Sequence, residues 1–529
     1  MTESDARPRR AGTAAYFVAA GILLSRVTGL VRQRVFSYYF GLENDAADAF
    51  MAAVRIPNVL QNLFGEGALS ASFIPVYASL VARGDRRAAD RVAGAVAAGL
   101  ALLVALLVVC GVLATPLLIG IIAPGFHSAK RDLTIQLVRI LFPGTGLLVM
   151  SAWCLGVLNS HQRFLLSYAS SVMWNVAMIL TLLLFGAGES LPQLSVFLAW
   201  GSVAGSALQF AVQIPVVLRV APDLRLTIDV ASDHVRTVAR NFVPVFVSRG
   251  VVQLSAYIDA LLASLLPTGA VTGLANAQLL YTLPVSLFGI AVSAAELPSM
   301  SSALEVDPAG VDAVRRRLDA ALRQIAFFVI PSAMAFLALG DIVAAAILQT
   351  GRFRQADARY VWGILAGSAV GLLASTLARL YASTYYAMRD TRTPLWCALV
   401  RVALTTILGY VFAFPLTRWL GVPAAWGAAG LTASAGVAGW VEMALLRRSL
   451  NARIGNTGLP LNYVLKLWTA AACGAVVAGL IKLVAPANPV LGAVVILGPY
   501  GVVFFAVAVA LRIPEASPVL ARFASFGLR

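Results

Sequence analysis

Arg26, Arg32 and Arg34 stand in the first apolar stretch of the chain, residues 14–40, where lipid-facing side chains would otherwise be expected. A guanidinium at bilayer depth is costly unless it faces water or a partner, so such residues mark functional sites by default. Its planar fork of donors suits phosphate and carboxylate oxygens. Arg55, Arg249, Arg379 and Arg401 also fall within apolar stretches, as do the carboxylates Asp259 and Glu296, while Asp48 and Glu66 flank a stretch dense in proline and glycine. The chemistry this set can do is to bind an anion in a polar cavity.

Catalysis finds little support. The three histidines, His127, His161 and His234, lie in or beside loops, and none forms a metal-binding or nucleophile-base spacing. A phosphate-binding Gly-x-x-x-x-Gly-Lys-Ser/Thr loop is missing, so the chain is not read as an ATPase. Cys110, Cys154, Cys397 and Cys473 sit in apolar runs without metal-ligand spacing and read as buried thiols. No metal and no cofactor is expected.

The elements that must hold these residues are membrane helices. Of 529 residues, 60% are hydrophobic and 12% charged, with mean hydropathy +0.84, far more apolar than a soluble domain tolerates. The net charge of +16 lies in short clusters between apolar runs, which argues against nucleic acid and for the positive-inside rule. Fourteen stretches are long enough to cross roughly 30 Å of hydrocarbon, from 14–36 through 490–511, although 342–353 is open between part of a span and a re-entrant loop. Arginine clusters at 83–91, 315–317 and 447–448 recur on one side, placing both termini in the cytoplasm. No small-residue cleavage site follows the first apolar run, which reads as a retained span.

Laid on itself with a shift of about 223 residues, the chain matches Ser25-Arg26 to Ser248-Arg249 and Pro75 to Pro298, with Phe64-Gly65 meeting Phe288-Gly289 one residue out of register. Six spans separate the copies, so the repeat is parallel, with its axis along the membrane normal. The expected architecture is all-α and polytopic: about 14 transmembrane helices in two pseudo-symmetric six-helix lobes around a central cavity, plus two C-terminal helices. In residues this means a cytoplasmic tail at 1–13, an N-lobe at 14–220, a linker at 221–240, a C-lobe at 241–450, and the last two spans with a tail at 451–529.

The most unusual local sequence follows span one. Ser25-Arg26-Val27-Thr28-Gly29-Leu30-Val31-Arg32, then Asp48-Ala49-Phe50, Arg55-Ile56-Pro57-Asn58, Glu66-Gly67-Ala68-Leu69-Ser70 and Phe73-Ile74-Pro75-Val76 resemble the opening of the MurJ (MviN) family. Ala123-Pro124-Gly125-Phe126, Leu297-Pro298-Ser299 and Asp390-Thr391-Arg392-Thr393-Pro394 extend the likeness through the first twelve spans, and in the last two only hydrophobicity compares. The resemblance implies a flippase of the multidrug/oligosaccharidyl-lipid/polysaccharide exporter superfamily. It would carry lipid II, the undecaprenyl-pyrophosphate-linked peptidoglycan precursor, from the inner to the outer leaflet of the bacterial cytoplasmic membrane by alternating access, for cell-wall synthesis. Implied partners are lipid II or a related lipid, the membrane and the cell-wall machinery, with coupling to sodium, protons or membrane potential left open.

Carried over residue by residue, the family's cavity arginines match Arg26 and Arg32, and its acidic residue after span one matches Asp48. Gln61 and Leu279 stand where the family has further arginines, and Gln33 where an acidic residue often follows. Arg249, opposite Arg26 in the repeat, is expected to restore one lost charge, with Arg55 and Arg379 adding to the site. Ser25, Ser248, Asp48 and Glu66 are gating or structural candidates; Asp259 and Glu296 are ion-coupling candidates. For Asp259 the sodium companions expected on span eleven read Thr405 and Gly409, and pairing with an arginine is the competing role. Arg55 has Asp48 or Glu66 as alternative partners, Arg34 and Arg139 are expected to snorkel to the interface, and Glu442 is expected near the cytoplasmic end of its span. Two other functions remain open: a flippase for another lipid-linked oligosaccharide, and a cation-coupled drug exporter of the same superfamily.

Overall fold

The computed structural model describes residues 6–227, 229, 232–293, 295–297, 300 and 310–517. The regular elements among them are all helical. By contacts the chain divides into two compact units, one covering 1–269 with 350–352 and the other 270–349 with 353–529.

The first unit holds α1 (Ala6–Phe40), α2 (Asp45–Phe64), α3 (Glu66–Ser72), α4 (Ile74–Ala82), α5 (Arg86–Ile122), α6 (Ser128–Ser160), α7 (Phe164–Ala169), α8 (Ser171–Phe185), α9 (Leu191–Val220) and α10 (Asp233–Ser264). Helix α6 is central, packing on α2, α5 and α9, while α8 bridges α9 and α1. The second expected span is broken where its sequence predicts. The backbone leaves the helical conformation at Gly65, with ψ −152°, and restarts as α3; a Cβ there would meet the Gln61 carbonyl oxygen at 2.1 Å, so this break requires glycine. Helix α10 packs on α2, α3 and α5 and groups with the first unit by contacts. Its apolar face explains this: Phe242 and Phe246 lie 5.7 and 5.2 Å from the Phe64 ring and complete a core with Phe73, Tyr77, Val92, Val149 and Leu158.

The second unit holds α11 (Ala270–Pro284), which runs into a π-helical turn (Val285–Ile290), then α12 (Gly310–Leu348), α13 (Gln355–Ala369), α14 (Leu372–Ala387), α15 (Arg392–Ala413), α16 (Pro415–Trp419), α17 (Gly427–Ile454), α18 (Leu461–Lys482) and α19 (Pro489–Ala510). Helix α17 packs on α13, α14 and α15. The last two helices dock on α12: the Tyr500 hydroxyl donates to the Pro331 carbonyl at 2.6 Å, and Lys482 pairs with Asp341 at 2.6 Å. The π turn contains Phe288-Gly289, so both Phe-Gly positions matched by the repeat interrupt a helix.

Among the described residues, each of the expected apolar stretches contains helix. Eleven helical runs among the described residues are long and apolar enough to cross a membrane, twelve if the pair α13 and α14, bent by 44°, is one span. Helices α1 and α10 fall outside that number, so the count of fourteen is not established. The stretch 342–353 is not re-entrant: α12 continues to Leu348, and the turn after it places Gly351 at φ 53° with the Arg352 N–H donating to the Tyr38 carbonyl at 2.9 Å. Large apolar side chains such as Leu113, Leu184 and Val502 stay exposed, as expected where lipid replaces water outside the bundle.

Candidate functional site

In the first unit the arginines of α1 separate. Ser25, Thr28 and Arg32 share one face and meet the matching face of α8. Ser171 donates to the Ser25 hydroxyl at 2.8 Å, the Asn175 amide to Thr28 at 3.4 Å, and the Arg32 guanidinium lies 4.6 Å from the Trp174 ring centroid with Met178 sulfur at 3.9 Å. A guanidinium held by an indole face and a thioether keeps its charge and most of its N–H donors for another anion. Arg26 is exposed. The residues of α8 were not anticipated from sequence. Their signal was the spacing of Ser171, Asn175 and Met178, which puts two polar groups and a soft sulfur on one face of an apolar helix.

Arg55, on α2, stands within electrostatic reach of the carboxylate of Asp259 and the phenol of Tyr257, and the Tyr257 hydroxyl donates to the Arg55 carbonyl at 2.9 Å. Asp259 is thus within electrostatic reach of an arginine. Asp48 is 1% exposed and accepts from Lys130 at 2.9 Å and from the Gly269 N–H at 2.9 Å. Lys130 also reaches the exposed Asp45 at 3.2 Å, which accepts from Thr268, and the Lys130 ammonium stands 4.4 Å from the Phe126 ring centroid. Lys130 was not singled out from sequence, since a lysine at a helix start reads as a solvated end. Gly125, beside it, has its N–H on Ser264 Oγ at 3.3 Å. The side chains of Glu66, Ser248 and Arg249 lie outside the described residues, so the expected replacement charge on α10 is not placed.

In the second unit Arg401 pairs with Glu442 at 3.1 Å. Glu442 is buried on α17, twelve residues before the end of that helix. Arg379 and Arg401 stand within electrostatic reach of Tyr281, whose hydroxyl hydrogen-bonds Ser375 at 2.7 Å. Glu296 lies 3.7 Å from Arg317. Leu279, the position expected to lack a family arginine, is on α11, and Thr405 and Gly409 are buried on α15. In the loop before α15 Asp390 accepts from the Thr393 hydroxyl and N–H, from Arg453 at 2.8 Å and from the Arg392 N–H. These donors hold its carboxyl down at about 2. Among the described residues no group of three or more His, Cys, Asp or Glu could hold a metal ion.

The family described as "Lipid II flippase MurJ" matches residues 36–502. This chain belongs to the MurJ lipid II flippase family. A lipid II flippase MurJ of Burkholderia cenocepacia is 32% identical over 443 residues, covering 82% of this chain and 83% of that protein. A probable lipid II flippase MurJ of Vibrio cholerae is 29% identical over 444 residues, 82% of each. The fold is similar to a solved lipid II flippase MurJ in an inward closed conformation, with TM-score 0.76 at 22% identity over 94% of this chain and 98% of that one. It is also similar to an inward-facing multidrug resistance MATE family transporter of the MOP superfamily, with TM-score 0.62 at 14% identity, covering 80% and 98%. The family match reaches residue 502, inside α19, so likeness extends further into the last two helices than hydrophobicity alone suggested. It begins after Arg26 and Arg32, which rest on their own motif and geometry.

Proposed function

We propose that this chain translocates lipid II from the inner to the outer leaflet of the bacterial cytoplasmic membrane by alternating access, with both termini cytoplasmic and the cell-wall synthesis machinery downstream. The observation that carries this reading, beside family membership, is the Arg32 guanidinium, seated on Trp174 with no carboxylate partner among the described residues. A pyrophosphate crossing the membrane needs such a cation, and paired arginines such as Arg401 offer fewer free donors. Coupling to sodium or protons would run through Asp259 or Glu296. Each already has an arginine nearby, Arg55 and Arg317, so filling or protonating either carboxylate would free a guanidinium.

The test is rescue of a bacterium whose own lipid II flippase is switched off. The wild type is expected to restore growth, Arg32→Ala to abolish rescue at equal membrane expression, and Arg249→Ala to weaken it. Rescue by Arg32→Ala would sink the assigned role of that residue. A specific departure favours a second reading: Gln61 and Leu279 replace expected arginines, which suits a different undecaprenyl-pyrophosphate glycan. Failure of a well-expressed wild type, with normal transport of such a glycan, would support it.

A further inference from the structure

One polar surface has no use in the reading above. Asp132, Gln136 and Arg139 follow one another at helical spacing on α6, all three exposed, with Ile135 just before Gln136 and Ile140 just after Arg139, and with Trp200 of α9, 57% exposed, as the facing wall of a groove. The other sides of α6 are occupied. Gly144 meets Val203 of α9, and Ser151 accepts from Gln209 and Gln213. Phe142 and Gly146 meet Gly111 and Val104 of α5. Lys130 turns to Asp48 of α2, and Arg131 donates to the Pro116 carbonyl of α5 at 3.2 Å. The stripe therefore looks away from the unit's core, and α9 continues its wall with exposed Ala204, Ala207 and Leu208. Arg139 has no hydrogen bond or ion pair among the described residues.

Depth gives the stripe an order. With 33 residues at about 1.5 Å each, α6 is roughly 50 Å long, some 20 Å more than the hydrocarbon it crosses. With that excess shared between its ends, Asp132 lies roughly 6 Å from the helix start, among headgroups, and Arg139 roughly 16 Å from it, about 6 Å below the hydrocarbon boundary. An arginine at that depth extends back toward the interface. A cation acceptor outermost and an anion donor beneath it is the complement of a zwitterionic headgroup, whose phosphate sits nearer the acyl chains than its ammonium.

We propose that this groove binds an outer-leaflet glycerophospholipid whose headgroup carries a primary ammonium, with the phosphate on Arg139 and the Gln136 amide, the ammonium on Asp132, and the glycerol and acyl chains against Trp200 and Ile140. Lipid is the occupant rather than another protein's helix because the charges match one headgroup in order as well as sign. The assignment uses the orientation in which α6 starts outside and is independent of the transported substrate.

The experiment is native mass spectrometry of the full chain released from nanodiscs holding equal phosphatidylethanolamine, phosphatidylcholine and phosphatidylglycerol. The wild type is expected to retain phosphatidylethanolamine about tenfold over the other two, the scale of one charge-assisted contact. Arg139→Leu should lose about tenfold of that retention, whereas Asp132→Asn should keep a phospholipid but no longer distinguish primary ammonium from trimethylammonium. Both positions are exposed, so the variants should keep the wild-type melting temperature, checked in parallel. Equal retention by wild type and variants would overturn the proposal. So would a photo-crosslinker at Gln136 that captures protein rather than phospholipid in cells, which would make the groove a helix-docking site.

Discussion

Removing the Asp48 carboxylate should cost far more stability than removing its neighbour Asp45. Asp48 is 1% exposed and holds both the Lys130 ammonium and the Gly269 N–H, while Asp45 is 62% exposed. Breaking a buried pair from one side leaves the other charge stranded and costs about 3–5 kcal/mol. Lys130 keeps Asp45 at 3.2 Å, so Asp48→Ala should fall near the lower end, about 3 kcal/mol, part of it from the orphaned Gly269 donor. An exposed pair is worth less than about 1 kcal/mol, which bounds Asp45→Ala. The double variant Asp48→Ala/Lys130→Met removes the stranded ammonium as well. It should be less destabilised than the sum of its parts, with a coupling of about 1–3 kcal/mol. The assay is thermal unfolding of the purified protein in one detergent, followed by tryptophan fluorescence, with the wild type, the single variants Asp48→Ala, Asp45→Ala and Lys130→Met, and the double variant ranked under one scan rate. Equal losses for Asp48→Ala and Asp45→Ala, or a strictly additive double variant, would refute the assignment of a buried ion pair at the start of α2.

Gly125→Ala should destabilise the first unit by about 1–3 kcal/mol, because a Cβ there would stand 2.0 Å from the Ser264 carbonyl oxygen; a melting temperature equal to the wild type would show that this contact relaxes freely. The Asp390 carboxyl is depressed in the folded protein to about 2, from an ordinary 3.8, so its contribution is complete above pH 4 and is lost as pH falls through its folded value. Asp390→Asn should therefore lower the melting temperature at pH 6 and differ progressively less from the wild type below pH 4; a constant difference across that range would contradict the assigned donors. Arg401→Leu strands Glu442 and should destabilise more than Arg401→Leu/Glu442→Leu, measured by the same thermal scan, and the reverse order would mean that the pair is not held as described.

Some residues were legible because their chemistry is local. The Pro-Gly-rich run around Gly65 announces a broken helix, and the break requires glycine because the carbonyl of Gln61 leaves no room for a side chain there. Arg26 and Arg32 stand out in the sequence because charge in an apolar stretch is costly wherever the helix happens to face. Partner choice was not legible in the same way. Nothing in the spacing of Arg55 and Asp259, two hundred residues apart, distinguishes that neighbour from Asp48 or Glu66. The sequence around Glu442 shows Arg447 following it, while its partner is Arg401 on another helix.

The membrane class, the helical architecture and the family were set by the sequence alone, because hydrophobic length and local motif chemistry do not depend on how helices rotate. The assignment of α10 to the first unit and the sorting of arginines into one seated on Trp174, one facing Asp259 and one paired with Glu442 were decided only by tertiary structure. So was the exposure of the stripe from Asp132 to Arg139. Hydropathy measures how apolar a helix is, not which of its faces meets a neighbour; that rotation is settled by side-chain packing against other helices, such as Phe242 and Phe246 against Phe64.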